Sequence, residues 1–164
     1  MGLLGEYAMV DEATLDYMVD LDNDALLEMI EEISEDPATR KYGIDKLWDG
    51  LHFLLTGKTA SYPIEDDPLS EAVVGVHVFN DEDEDADFVG CTENDELPAI
   101  ISALKSIDME ALKAGFNLEA FRKNKVYPNI WVDEDADSLF QELVGELKGL
   151  TAFYEKAEAD GMHI

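Results

Sequence analysis

Hydrophobic and polar positions along the chain follow two periods. A first strand is predicted over 2–10, ending where Asp11 can cap a short helix running through Met18 and Val19. A second helix is predicted from Asn23 to Ile33. Leu26, Leu27, Ile30 and Ile33 share one of its faces, Glu28, Glu31, Glu32 and Glu35 face water, and Pro37 closes the region. A third is expected over 45–57, stopped by Gly57 in a position that tolerates positive φ. The two prolines and three acids of 61–68 mark a loop, with a helical turn over 69–74 started by Asp67 or Ser70. Short strands are expected over 75–79 and 88–92, paired with each other across the acidic connection 80–87.

From Glu93 onward the period is helical. Residues 93–106 align Leu97, Ile100, Ile101 and Leu104, with Asn94 or Thr92 as the expected cap and Pro98 in the first turn. Short helices are expected over 108–114 and 118–123, then an extended edge over 126–132 that holds Tyr127, Pro128 and Trp131. The longest helix is predicted over 137–160, with a broad apolar face from Leu139 to Ala157 and Gly161 as its stop, before a last short strand over 162–164. Without regular β-α alternation, the expectation is an α+β fold: a single domain over 1–164, mostly helical, with a small sheet of short strands and a long C-terminal helix. No linker or 20–50 residue repeat divides the chain, although Asp-Glu-Asp-Ala-Asp occurs at both 83–87 and 133–137.

Composition changes the picture mainly through charge. The chain has 164 residues, 46% of them hydrophobic, which is enough for one continuous core. Against 11 Lys and Arg stand 39 Asp and Glu, a formal net charge of -28. Such a field repels phosphate backbones and anionic lipid, so neither nucleic acid nor a membrane surface is an expected partner. A basic protein is the expected one, with divalent cations held weakly at most; the same charge also serves solubility or life in a salty cytoplasm. One cysteine, Cys91, excludes an internal disulfide and a multi-cysteine zinc site. The opening residues lack a secretory pattern and no run approaches a membrane span, so a cytoplasmic location is expected.

The strongest chemical pattern lies on the third predicted helix. At about 100° per residue, Asp45, Asp49, His52 and Thr56 fall within about 60° of one another beside an apolar arc containing Trp48. An imidazole with a carboxylate one turn away suits a general base or acid, or a metal ligand; a histidine bonded to a neighbour at the edge of a core has the same spacing. Trp48, Tyr127 and Trp131 could line a pocket or pack in the core. Asp83, Asp85 and Asp87 offer hard oxygen ligands, but no EF-hand. Counting from Asp83, the sixth and twelfth positions are Phe88 and Asn94; from Asp133 they are Ser138 and Val144. No Walker loop, dinucleotide fingerprint, nucleophile elbow or zinc-protease helix occurs, and no cofactor is expected.

Several landmarks recur in order along nearly the whole chain. They are the Met1-Gly2 opening of a strand ending near Tyr7, Asp45-Lys46-x-Trp48-x-x-Leu51-His52-x-x-Leu55-Thr56-Gly57, Asp67-Pro68-Leu69, Tyr127-Pro128 before Trp131, and Phe153-Tyr154-x-x-Ala157-x-x-x-Gly161. On these residues the chain resembles the YfbM-like family, a bacterial domain of unknown function. It departs from that pattern in the swollen acidic segment 80–87 and the abrupt end at Ile164. The resemblance implies a small cytosolic α+β domain and carries no catalytic role. Two functions are therefore expected as alternatives. One is a binding or regulatory module that neutralises a basic partner, as an immunity protein or inhibitor does. The other is a small-molecule-binding protein or enzyme with its pocket around Asp45, His52 and Thr56.

Overall fold

The computed structural model describes residues 2–164. Gly5–Ala8 (β1) pairs antiparallel with Lys41–Asp45 (β2), with a register irregularity between Gly5 and Glu6. Between them lie Glu12–Met18 (α1) and Asn23–Glu35 (α2). Asp11 and Asp22 cap these helices by accepting the Thr14 and Ala25 N–H groups, so both starts are written in local sequence. Trp48–Thr56 (α3) ends at Gly57, whose φ of 76° satisfies the expected stop, and Pro68–Val74 (α4) is capped by Asp67. His77–Val78 (β3) and Gly90–Cys91 (β4) form a second antiparallel ladder. Leu97–Lys105 (α5), Met109–Ala114 (α6), Leu118–Lys123 (α7) and Ala136–Ala159 (α8) complete the helical part.

The fold class is α+β as expected, with short strands and a long C-terminal helix, but the strands divide into two separate two-stranded ladders. Four local expectations are corrected. Lys41–Asp45 is a strand: Tyr42 and Ile44 turn inward from β2, and Asp45 ends it at a φ of 54°. The helix therefore starts at Trp48, and Asp45 is not on its polar row. The turn before α5 is closed by Glu93, whose N–H donates to Glu96 Oε1 at 2.9 Å, in place of a Thr92 or Asn94 cap. The 126–132 segment, which contains a cis Tyr127–Pro128 bond, joins neither ladder. The 162–164 strand is reduced to a bridge between Val10 and His163, with Ile164 and Thr92 exchanging backbone hydrogen bonds beside it.

Two hydrophobic cores result. The larger buries Leu51, Leu97, Ile100, Leu143, Leu150 and Tyr154, where α3, α4 and α5 meet α8. The smaller gathers Leu15, Met18, Leu26, Phe79 and Cys91 under α1, α2 and the second ladder. None of the helices among the described residues is long and apolar enough to cross a membrane.

Candidate functional site

The residues of the sequence pattern separate once α3 is in place. His52 is 0% exposed, as is Ser70 on α4. His52 Nδ1 lies 2.7 Å from the Lys58 carbonyl oxygen, which can only accept, so Nδ1 carries the proton. Nε2, 2.7 Å from Ser70 Oγ, then accepts the serine hydroxyl, while Ser70 Oγ accepts the Ile64 N–H at 2.9 Å. Thr56 Oγ1 donates to the His52 carbonyl oxygen at 2.8 Å. The serine–imidazole pair has the spacing of a nucleophile and its base, yet full burial keeps substrate from both. Its effect is to fasten the Lys58 and Ile64 ends of a loop onto α3 and α4.

Asp49, one turn before His52, is also buried. Its Oδ1 accepts the Ala60 N–H at 2.7 Å and its Oδ2 the Tyr127 N–H at 2.8 Å, so the carboxylate ties two loops to one helix. Trp48 stacks on Tyr127 with ring centroids 5.5 Å apart. Both reach the N-terminal segment: Trp48 Nε1 donates to the Leu3 carbonyl oxygen at 3.0 Å, and Tyr127 Oη accepts the Leu3 N–H at 2.9 Å. Trp131 is a core residue that donates through Nε1 to the Val126 carbonyl oxygen. Its indole lies so close to Gly50 that a Cβ there would collide with it. Thus Asp49, His52 and Thr56 share a helix, the first two buried and the third half-buried, and Asp45 is exposed away from them on β2. Asp83, Asp85 and Asp87 are exposed loop residues: Asp83 Oδ1 accepts the Asp85 N–H, and Asp87 exchanges hydrogen bonds with Asn23.

Of the predicted site residues, Trp48 lines a large cleft, in which Asp49, His52 and Thr56 take no part. This half-open cleft of about 650 Å³ runs between the two cores, walled by β1, α1, α2 and the Val89–Thr92 segment. Tyr7 and Tyr154 stand in its wall, edge to face with centroids 6.3 Å apart. Their hydroxyls donate to the Val73 and Ala72 carbonyl oxygens, and burial pushes both phenols above their ordinary titration range. Cys91 is on the opposite wall, where burial, with Glu93 and Glu96 nearby, pushes its thiol up to about 11; the thiol is neutral at physiological pH and not an activated nucleophile. Glu6 is the charged residue in the lining, and it accepts the Ser34 hydroxyl at 2.6 Å. The rim is open and apolar: Leu3, Leu4 and Phe88 are 68%, 67% and 63% exposed. Sequence periodicity could not find this cleft, because its walls come from segments 80 residues and more apart. The signal present was Leu3-Leu4 and Phe88, large apolar residues in a chain otherwise dense in acids.

Comparison with known proteins agrees with the landmarks along the chain. Protein YfbM of Escherichia coli strain K12 is 32% identical over 164 residues, which cover 99% of this chain and 96% of that protein. The crystal structure of YfbM from Escherichia coli, described as a protein of unknown function, superposes with a TM-score of 0.83 at 30% identity, covering 98% of this chain and 96% of that one. The model of a domain of unknown function, DUF1877, matches residues 1–164, and the chain belongs to that family.

Proposed function

We propose that this chain is a binding module, of the inhibitor or immunity type, for a basic partner that seats an apolar segment in the cleft between the two cores. The observation that carries the reading is the open apolar rim of Leu3, Leu4 and Phe88 on a chain of net charge -28. An exposed apolar patch bordered by polar residues is the usual mark of an interaction site, and the surrounding field steers a cation-rich partner toward it. The cleft offers area and shape but no activated nucleophile, which supports recognition over catalysis. The expected meeting place is the cytoplasm, in keeping with the single neutral cysteine.

The cleft volume favours a second reading, a small apolar ligand, since about 650 Å³ lies within the range of small-molecule sites. One titration series separates the two. A cationic amphipathic peptide, an acidic peptide with the same apolar pattern and an uncharged apolar dye are each titrated into the wild type and into Leu4→Ser/Phe88→Ser. The proposal expects the cationic peptide to bind at least tenfold more tightly than the acidic one, with affinity falling as salt rises and falling again in the double variant. Dye binding without salt dependence or peptide preference selects the small-ligand reading. No binding of any probe overturns both.

A further inference from the structure

At the second ladder, hairpin register and a locked turn bring together three side chains capable of holding a metal. His77 on β3 pairs with Cys91 on β4, and Glu93 follows Cys91 by two residues, on the same side of the strand path. Glu96 is fixed from the other direction because its Oε1 accepts the Glu93 N–H. The turn itself is held by the C-terminal segment: Thr92 and Ile164 exchange backbone hydrogen bonds, and the Asn94 N–H donates to His163 Nδ1 at 2.9 Å. His77 Nε2 thus lies 3.0 Å from Glu96 Oε1 and 3.8 Å from Glu93 Oε2.

Those separations match a coordination sphere. Tetrahedral ligands at the usual zinc distances stand about 3.3 Å from one another, so shifts of a few tenths of an ångström would seat an ion between the imidazole nitrogen and the two carboxylates. One ligand atom from each of the three residues lies within 4.8 Å of the others, and this is the one such grouping of three or more histidine, cysteine or carboxylate side chains among the described residues. Their charge is poorly balanced without a cation. Among the described residues His77 is the one basic side chain within 4 Å of the Glu93 and Glu96 carboxylates. A further carboxyl, Glu71 on α4, is pushed up by its own burial and by Asp66, Glu96 and Asp67, with His77 acting against them.

We propose that His77, Glu93 and Glu96 form a site for a divalent first-row transition ion, zinc-like in preference, with water completing the coordination. One imidazole with two carboxylates suits such an ion better than magnesium or calcium, which favour all-oxygen sites. Binding displaces the Nε2 proton, now directed at Glu96, and draws Glu93 in by less than 1 Å. The site joins β3 to the turn before α5, so an ion there would clamp the second ladder at the edge of the cleft-bearing half of the molecule.

The test uses the full chain without a purification tag, stripped with chelator, and titrates Zn²⁺ or Mg²⁺ by calorimetry while the histidine ring signals are followed by NMR. The wild type is expected to take up one Zn²⁺ per chain, at least 100-fold more tightly than Mg²⁺, and to shift the His77 signals while those of His52 and His163 stay in place. His77→Ala and Glu96→Gln should each weaken Zn²⁺ binding at least tenfold, with Asp83→Asn/Asp85→Asn as the unchanged control. All three variants alter exposed or half-exposed side chains, and a thermal melt confirms that each remains folded. Zn²⁺ uptake that survives His77→Ala, uptake lost equally in the acidic-loop control, or no stoichiometric uptake at all would each overturn the proposal and leave the cluster as a hydrogen-bonded histidine and two carboxylates.

Discussion

The Asp49 carboxylate accepts the Tyr127 N–H at 2.8 Å across 78 residues of sequence, while its other oxygen accepts the Ala60 N–H. One buried side chain on α3 therefore determines where two loops lie, and two charge-assisted hydrogen bonds depend on it. Asp49→Ala removes both acceptors and leaves two poorly solvated N–H groups. The expected loss is roughly 3 kcal/mol in urea unfolding, since each bond to a charged group contributes about 1.5–3 kcal/mol and the loops partly relax. A loss below about 0.5 kcal/mol would show that the loops are held by other contacts.

His52 and Ser70 act as a structural pair, and their variants should couple. Ser70→Ala leaves His52 Nε2 and the Ile64 N–H without partners. His52→Ala removes a fully buried ring and leaves the Lys58 carbonyl only its longer contact from Thr56 Oγ1. Each single variant is expected to lose about 2–3 kcal/mol, and the double variant less than the sum, because much of the second loss has already been incurred. The same variants should speed proteolytic cleavage within 57–67. Strict additivity in a double-mutant cycle would contradict a shared network.

Cys91 gives a pH dependence whose sign is determined by its raised pKa. In the unfolded chain the thiol ionises near 9.0, while in the folded protein it holds its proton to about 11. Above the lower value the native state binds more protons than the unfolded one, so stability falls as pH rises from about 9 to 11. Below that window the contribution is fully present. Cys91→Ala should flatten part of this slope; Tyr7, Tyr42 and Tyr154, whose phenols are shifted in the same direction, contribute to the remainder. Alkylation of native protein at pH 8 should be much slower than of urea-unfolded protein, and equal rates would place the thiol in open solvent.

Gly50 faces the Trp131 indole on the buried side of α3. In an exposed helix, alanine would be favoured over glycine by about 1 kcal/mol. Here the added methyl must displace a ring that is itself bonded to Val126 and packed in the core, so Gly50→Ala is expected to destabilise by about 1–3 kcal/mol. A thermal melt distinguishes the two signs directly: an increase in melting temperature would mean that the indole moves aside freely.

Outside the starts of α3 and α5, helix starts and stops were legible in the sequence because their determinants are local. Asp11, Asp22, Asp67, Asp108 and Asn117 each accept a backbone N–H two or three residues ahead, and Gly57 and Gly161 adopt positive φ at helix ends. The long face of α8 follows from periodicity in the same way. Strand β2 carried a faint signal in the alternation of Tyr42 and Ile44, but five residues are too few to outweigh the apolar row continuing into α3. Its pairing with β1 lies more than 30 residues away, and only that pairing takes Asp45 off the helix.

The candidate site divides along the same line. Sequence alone placed Asp49, His52 and Thr56 on one helix, because helical spacing is a local property. Whether that row faces substrate or core depended on which loop covered it, and Lys58, Ala60, Ile64 and Tyr127 turned it inward through bonds that no spacing rule encodes. The cleft and the His77–Glu93–Glu96 cluster exist only in the folded chain, since each needs distant segments brought into register. Composition determined the acidity and the amount of apolar material available to bury; tertiary packing decided which apolar surface stayed open and which polar groups were enclosed, because burial and convergence are properties of neighbours in space.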